Sequence, residues 1–168
     1  VDLAHASPQM VRDVLAMPGT RPILSHTGIH GHCPSPRNLS DDLVRAIAAK
    51  GGVIGIGYWA DVNCGGTPAD IAASVKAAIA LVGEDHVSLG SDYDGSVTPL
   101  IEVGHLDVLT AIMRRRDNPF HPEVTRDIFG RNACRLFGTV LPGGDREAAT
   151  ELCARLEHAT PPPEATNR

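Results

Sequence analysis

Short apolar segments alternate with longer amphipathic segments from the first residue of the chain to about Gly138. The pattern predicts a β-strand for each short segment. GVIGIGYW is apolar throughout, which is typical of a parallel strand covered on both faces, and its glycines favour close packing inside a barrel. The predicted strands are VDLAH, RPILSH, GVIGIGYW and HVSLGSD, at residues 1–5, 21–26, 52–59 and 86–92.

A predicted helix follows each of these strands. Ser7 and Ser40 stand at N-cap positions, and Pro8 occupies the first helical position after Ser7. Gly51-Gly52 ends the second helix. The predicted helices cover residues 8–17, 41–50, 68–83, 106–116, 122–129 and 132–137.

Four βα units in succession predict an α/β fold with a parallel sheet and right-handed crossovers. The 168 residues are too few for a complete (β/α)8 barrel, which needs about 250. The chain opens on Val1 within a strand pattern, so we expect the C-terminal half of a TIM-type (β/α)8 barrel over residues 1–140. A peripheral helix is predicted over 141–158 and a disordered tail over 159–168.

A net charge of -5 argues against a general affinity for nucleic acid. The only basic run, residues 114–116, follows an apolar stretch and predicts the end of a helix. No apolar run reaches the roughly 18 residues of a membrane span. The compartment stays open between the cytoplasm and a periplasmic or secreted location.

The four cysteines show no CxxC spacing, which disfavours a structural zinc knot. Cys33 and Cys64 each lie in a loop after a predicted strand, so they are either a disulfide or two free thiols. Cys134 and Cys153 occupy apolar helical positions and are predicted to be core residues.

His5 and His26 stand 21 residues apart, each at the end of an apolar run. The carboxyl ends of parallel strands meet at one face, where such folds keep their chemistry. The fourth predicted strand ends at Asp92 on that face. Two imidazoles and a carboxylate suit a divalent metal such as zinc, although a catalytic zinc needs at least one further protein ligand.

Arg37 lies in a loop on the same face, where it is either a carboxylate-binding group or an exposed surface arginine. Asp92 is the better candidate for contact with a metal-bound water, and Asp94, before a glycine, fits turn chemistry. His30 and His32 have HxH spacing, but their Gly-rich setting predicts solvated loop residues.

The segments DLAHAS, SHTGIHGHCPSPRNLSDD and LGSDYDG, with GRNACRLF near the end, together resemble the renal (membrane) dipeptidase family of zinc peptidases. The resemblance extends from residue 1 to about residue 140. It implies hydrolysis of dipeptides in a (β/α)8 barrel of the metal-dependent hydrolase type. Members of that family hold two zinc ions, bridged by a carboxylate and a hydroxide.

The resemblance implies that His5 and His26 are ligands of one zinc. It further implies that Arg37 binds the free carboxylate of the substrate, and that Asp92 contacts the bridging water and the substrate amine. Cys33 and Cys64 lie near the positions of a family disulfide.

The HxD pair, the bridging glutamate and a further histidine of the family would lie upstream of Val1. We therefore expect half of a two-metal site, completed by the missing N-terminal half or by homo-oligomerisation. Two alternatives remain: another metal-dependent amidohydrolase acting on a lactam, lactone or cyclic amide, or a non-catalytic half-barrel whose sheet edges need a partner.

Overall fold

A computed structural model of the protein describes residues 1–115, 120–141, 151 and 153–155. Strands and helices alternate over the first half of the chain, and helices follow. The strands are β1 (Ile23–Thr27), β2 (Val53–Ile56) and β3 (Val87–Leu89). The helices are α1 (Pro8–Ala16), α2 (Asp41–Ala49), α3 (Ala60–Asn63), α4 (Pro68–Val82), α5 (Leu106–Met113), α6 (Pro122–Arg126) and α7 (Asn132–Val140).

The three strands form one parallel sheet in the order β1-β2-β3. Ile54 of β2 is aligned with Leu24 of β1 on one side and with Val87 of β3 on the other. Parallel neighbours that follow one another in sequence require helical crossovers, and α2 and α4 provide them. The α/β class predicted from the sequence is therefore confirmed.

The first predicted strand is wrong as a strand. Asp2 forms a single parallel bridge with Ile23, supported by hydrogen bonds from Leu3 N to Ile23 O and from Ile23 N to Val1 O, both 2.8 Å long. The chain then turns at His5, whose φ is 63°. This turn ends the ladder after one residue pair, although the segment still lies beside β1.

The predicted helix starts are mostly confirmed. Ser7 Oγ accepts a hydrogen bond from Met10 N at 3.2 Å, and Thr67 and Asp70 form a reciprocal capping box on α4. Ser40 occupies the N-cap of α2, but its side chain makes no capping hydrogen bond.

The predicted break between the helices 122–129 and 132–137 is confirmed, because Gly130 has non-helical backbone angles (φ 178°, ψ -34°) and kinks the chain between them. Helix α3 was not predicted. Residues 151 and 153–155 of the predicted peripheral helix are helical, while its other residues and the predicted tail at 159–168 lie outside the described residues.

The core lies between the sheet and the helices that cover it. All four residues of β2 are buried, as its uninterrupted apolar sequence predicted. Helices α2 and α4 pack on this strand and on each other, and α5 packs against α4. Their fully or almost fully buried residues are Leu43, Val44, Ile47, Ile71, Val75, Ala78, Leu109 and Met113. Within the described part of the chain, no helix is long and apolar enough to cross a membrane.

The sheet is strongly curved. Gly90, directly after β3, donates from its N–H to Ile56 O at 2.9 Å, and a Cβ on Gly90 would lie closer than 3.0 Å to the carbonyl oxygen of Ser25 in β1. Strands two places apart in a flat sheet are separated by about 9.5 Å. The close approach of β1 and β3 therefore requires the sheet to curl towards a barrel-like shape.

Two disulfides are present. Cys33 pairs with Cys64, at a Cα–Cα distance of 5.4 Å, which decides between the two alternatives left open by the sequence. Cys134 pairs with Cys153, at 5.6 Å. Cys134 is buried as predicted, but interpreting these two cysteines only as core residues missed their pairing.

Candidate metal centre

His26 projects from an irregular part of β1. The register with β2 shifts between Leu24 and Thr27, so Ser25 and His26 lie in a bulge of the strand. A bulge redirects the side chains of its residues. Here it leaves Ser25 Oγ 2.9 Å from His26 Nδ1, and the other ring nitrogen of His26 points away from the strand.

Asp2 ties together the two segments that carry the histidines. Its Oδ1 accepts hydrogen bonds from Ser25 N and from Ala4 N, both 3.0 Å long. Burial raises the pKa of Asp2, but the bonds from Ser25 and Ala4 outweigh burial and the net pKa is lowered. The Asp2 carboxylate thus fixes the turn at His5 against the strand that bears His26.

The three residues selected from the sequence come together. His5 Nε2 lies 2.9 Å from His26 Nε2, and His26 Nε2 lies 3.7 Å from Asp92 Oδ2. One donor atom from each residue falls within 4.8 Å of the other two. His26 is the middle member of this cluster, which we call the His-His-Asp trio.

Two members of the trio have backbone angles in the left-handed region, with φ of 63° at His5 and 57° at Asp92. Such conformations cost of order 1 kcal/mol or more in non-glycine residues and concentrate at functional sites. Gly95 N donates to Asp92 O at 2.9 Å, closing the turn. Asp94 points elsewhere, since it is exposed and outside the trio.

The donors of the trio fit a divalent metal. Two imidazole nitrogens and a carboxylate oxygen form a typical zinc ligand set, in which neighbouring donors of a tetrahedral site lie about 3.3 Å apart. Burial lowers the pKa of His26, partly opposed by the charge of Asp92. A neutral imidazole is the form that binds metal, and the contact of Nδ1 with Ser25 leaves Nε2 to face the trio.

Arg37 stands beside the trio, as its place in the loop predicted. Its Nη2 lies 3.3 Å from His5 Nε2, and its guanidinium carbon lies 5.6 Å from the ring centroid of Trp59. Burial lowers the pKa of Arg37 and Asp92 opposes this effect, but a guanidinium stays charged at neutral pH. Arg37, Trp59 and Asp92 all line an open cavity of about 800 Å³.

The predictions for the other loop histidines agree with the structure. His30 and His32 are exposed and neither belongs to the trio. Sequence reasoning missed three residues around the trio, namely Asp2, Ser25 and Trp59. A usable signal existed for two of them, because Ser25 directly precedes His26 and Trp59 is the single tryptophan of the chain, at the end of a predicted strand.

Comparisons with known proteins agree with this geometry. Residues 1–149 match the sequence model of "Membrane dipeptidase (Peptidase family M19)". The chain is 37% identical over 107 residues, 59% of its length, to an uncharacterized protein in the pqqA 5′ region of Klebsiella pneumoniae, covering 39% of that protein. It is 29% identical over 157 residues, 89% of its length, to the dipeptidase ataJ of Aspergillus terreus, covering 38% of it.

The fold is shared with a solved metallopeptidase from Rhodobacter sphaeroides, liganded with a phosphinate mimic of the dipeptide L-Ala-D-Ala. The TM-score is 0.72 at 26% identity, over 80% of this chain and 40% of that one. The chain thus spans about two fifths of the length of the curated relatives that it matches. Because the family match covers most of the chain, the protein belongs to the membrane dipeptidase family, peptidase family M19.

Proposed function

We propose that the protein carrying this chain hydrolyses the peptide bond of dipeptides at a binuclear zinc centre. The observation that supports this most directly is the convergence of His5, His26 and Asp92 beside a charged arginine at one end of a parallel sheet. The family of the chain points to the same reaction.

In this proposal, His5 and His26 hold one of the two zinc ions through their Nε2 atoms. Bound zinc polarises a carbonyl oxygen and lowers the pKa of a water molecule. Ser25, in contact with Nδ1 of His26, keeps the metal-binding nitrogen aimed at the trio. Asp92 accepts a proton from the attacking water and hydrogen-bonds the substrate ammonium group.

Arg37 is proposed to hold the C-terminal carboxylate of the dipeptide. A guanidinium offers two parallel N–H groups to a carboxylate, a geometry that a lysine ammonium cannot provide. The cavity that Arg37 shares with Asp92 gives room for a small substrate between the two charged groups. A zwitterionic dipeptide has complementary charges at its two ends.

The chain is also proposed to be the C-terminal half of a (β/α)8 barrel. The curl of the sheet around Gly90 and the likeness to a metallopeptidase about twice as long support this. The remaining zinc ligands then come from the other half of the barrel or from a second copy. Such an arrangement would also cover the open edges of the sheet.

The test is the release of free amino acids from simple dipeptides by the whole protein, with added zinc and with a chelator control. We expect hydrolysis that the chelator abolishes. Hydrolysis that survives complete removal of metal would contradict the proposal. Preferential hydrolysis of lactams or lactones that carry no carboxylate would favour the alternative amidohydrolase reaction.

Replacing Arg37 with lysine is expected to raise KM for dipeptides about tenfold or more, because the paired hydrogen bonds to the carboxylate are lost. The matched control is Arg45→Lys, at an exposed position of α2. Steady-state kinetics of both variants provide the measurement. An unchanged KM in Arg37→Lys would remove the carboxylate-binding role from this residue.

Replacing Ser25 with alanine is expected to weaken zinc binding by about 10- to 100-fold, the usual effect of losing the partner that orients a histidine ligand. Zinc affinity is measured by competition with a chromophoric chelator. Ser88→Ala is the control, since Ser88 is a buried serine of β3 whose hydroxyl donates to Ile128 O instead. Equal zinc affinities in the two variants would show that Ser25 does not orient His26.

A further inference from the structure

Trp59 is held in one place by its surroundings. It is 5% exposed although it lines the cavity. Asn63 Nδ2 donates to Trp59 O at 2.9 Å, and the backbone of Trp59 bridges to Pro99. Gly57 leaves the space that the indole fills, since a Cβ there would lie closer than 3.0 Å to the ring.

The guanidinium of Arg37 lies over one face of this ring. The guanidinium carbon lies 5.6 Å from the ring centroid, within the distance of a cation–π interaction. Among the described residues, no carboxylate lies within salt-bridge distance of the Arg37 guanidinium. Its side-chain contacts there are the indole and the ring of His5.

An arginine without an ion-pair partner loses rotamer freedom when it binds a carboxylate, and that loss weakens binding. A ring that already holds the guanidinium removes part of this cost, while the N–H groups on the edge stay free for the carboxylate. Trp59 also lies next to the trio, with its ring centroid 6.0 Å from that of His26.

We propose that Trp59 is a positioning residue, which holds Arg37 in the orientation that receives the substrate carboxylate and so sets the preference for dipeptides with a free C-terminus. The inference rests on the proposed function, because it assumes that Arg37 binds that carboxylate. It predicts that Trp59 governs discrimination between a dipeptide and its amide, without touching the scissile bond.

The experiment compares kcat/KM for alanyl-alanine and for alanyl-alanine amide with the whole zinc-loaded protein, by steady-state kinetics. The wild-type protein should prefer the free dipeptide. Trp59→Leu should reduce that preference by about fivefold, the size of one cation–π contact. Trp59→Phe keeps an aromatic face and should retain most of the preference.

A matched control separates this effect from simple loss of an aromatic side chain. Lys76 Nζ lies 5.9 Å from the ring centroid of Phe120, which is 8% exposed and is not among the residues that line the cavity. Phe120→Leu removes a similar cation–π contact and should leave the preference unchanged. If Phe120→Leu and Trp59→Leu reduced it equally, general destabilisation would explain the result and the inference would fail.

The contact itself can be measured without ligand. In the wild-type chain, the ring current of Trp59 should shift the side-chain proton resonances of Arg37, and Trp59→Leu should abolish the shift. An unshifted wild-type Arg37, or a dipeptide preference that survives in Trp59→Leu, would overturn the inference. Equal kcat/KM for the dipeptide and its amide in the wild-type protein would instead contradict the proposed role of Arg37.

Discussion

Replacing His26 with alanine is expected to abolish zinc binding by this chain and to reduce dipeptide hydrolysis by the whole protein about a thousandfold or more. His26 is the middle of the trio, with Nε2 2.9 Å from His5 and 3.7 Å from Asp92. Without it, one of the two histidines proposed to hold the zinc is missing. The remaining imidazole, that of the exposed His5, binds zinc weakly by itself.

Zinc binding can be followed through the fluorescence of Trp59, the single tryptophan, because its ring lies 6.0 Å from that of His26. The control is His86→Ala, since His86 lies at the opposite end of β3 and contacts Gly52 O through Nδ1. We expect the control to bind zinc as the wild type does. Full zinc content with near-normal turnover in His26→Ala would refute the assignment of the centre.

The trio was predictable because it depends mainly on topology. Parallel strands bring their carboxyl ends to one edge, so histidines after the first two apolar segments and an aspartate after the fourth had to approach each other. His5 lies with the other two residues although its predicted strand does not form. Two hydrogen bonds to Asp2 and a turn with positive φ place His5 where a strand end would have placed it.

Other features of the site depend on contacts that periodicity does not encode. The sequence predicted turn chemistry at Asp94, but the residue in the left-handed region is Asp92, whose φ of 57° turns the chain before Asp94. The bulge at Ser25 arises from pairing with β2 rather than from its own neighbours. The Cys134–Cys153 disulfide likewise depends on the position of a separate helix.

The contact between Trp59 and Arg37 was also not predictable from the sequence. The sequence shows Trp59 at the end of an apolar run, but burial in the core is enough to explain a tryptophan at that position. Only the approach of the loop that carries Arg37 distinguishes a ring that supports a guanidinium from a ring that fills the core. The contact between the Arg37 loop and the Trp59 ring arises from the tertiary fold, and the sequence of neither segment predicts it.

Replacing Gly90 with alanine is expected to lower the free energy of unfolding by roughly 3 kcal/mol or more, in the range of severe overpacking. The added Cβ would meet the Ser25 carbonyl oxygen closer than 3.0 Å and the His26 Cα at 3.0 Å. Both are backbone atoms of β1, so no rotamer change relieves the clash. The strands must separate, which flattens the sheet and moves Asp92 away from His26.

The matched control for this change is Gly104→Ala. A Cβ at Gly104 meets nothing within 4 Å, so its effect should stay within about 0.5 kcal/mol. Urea unfolding of both variants measures the free energy of unfolding, and a zinc titration of each variant measures its zinc affinity. Because the added Cβ displaces the backbone of Ser25 and His26, Gly90→Ala should weaken zinc binding as well as stability. A loss of stability with unchanged zinc affinity would show that His26 keeps its place without the curl of the sheet.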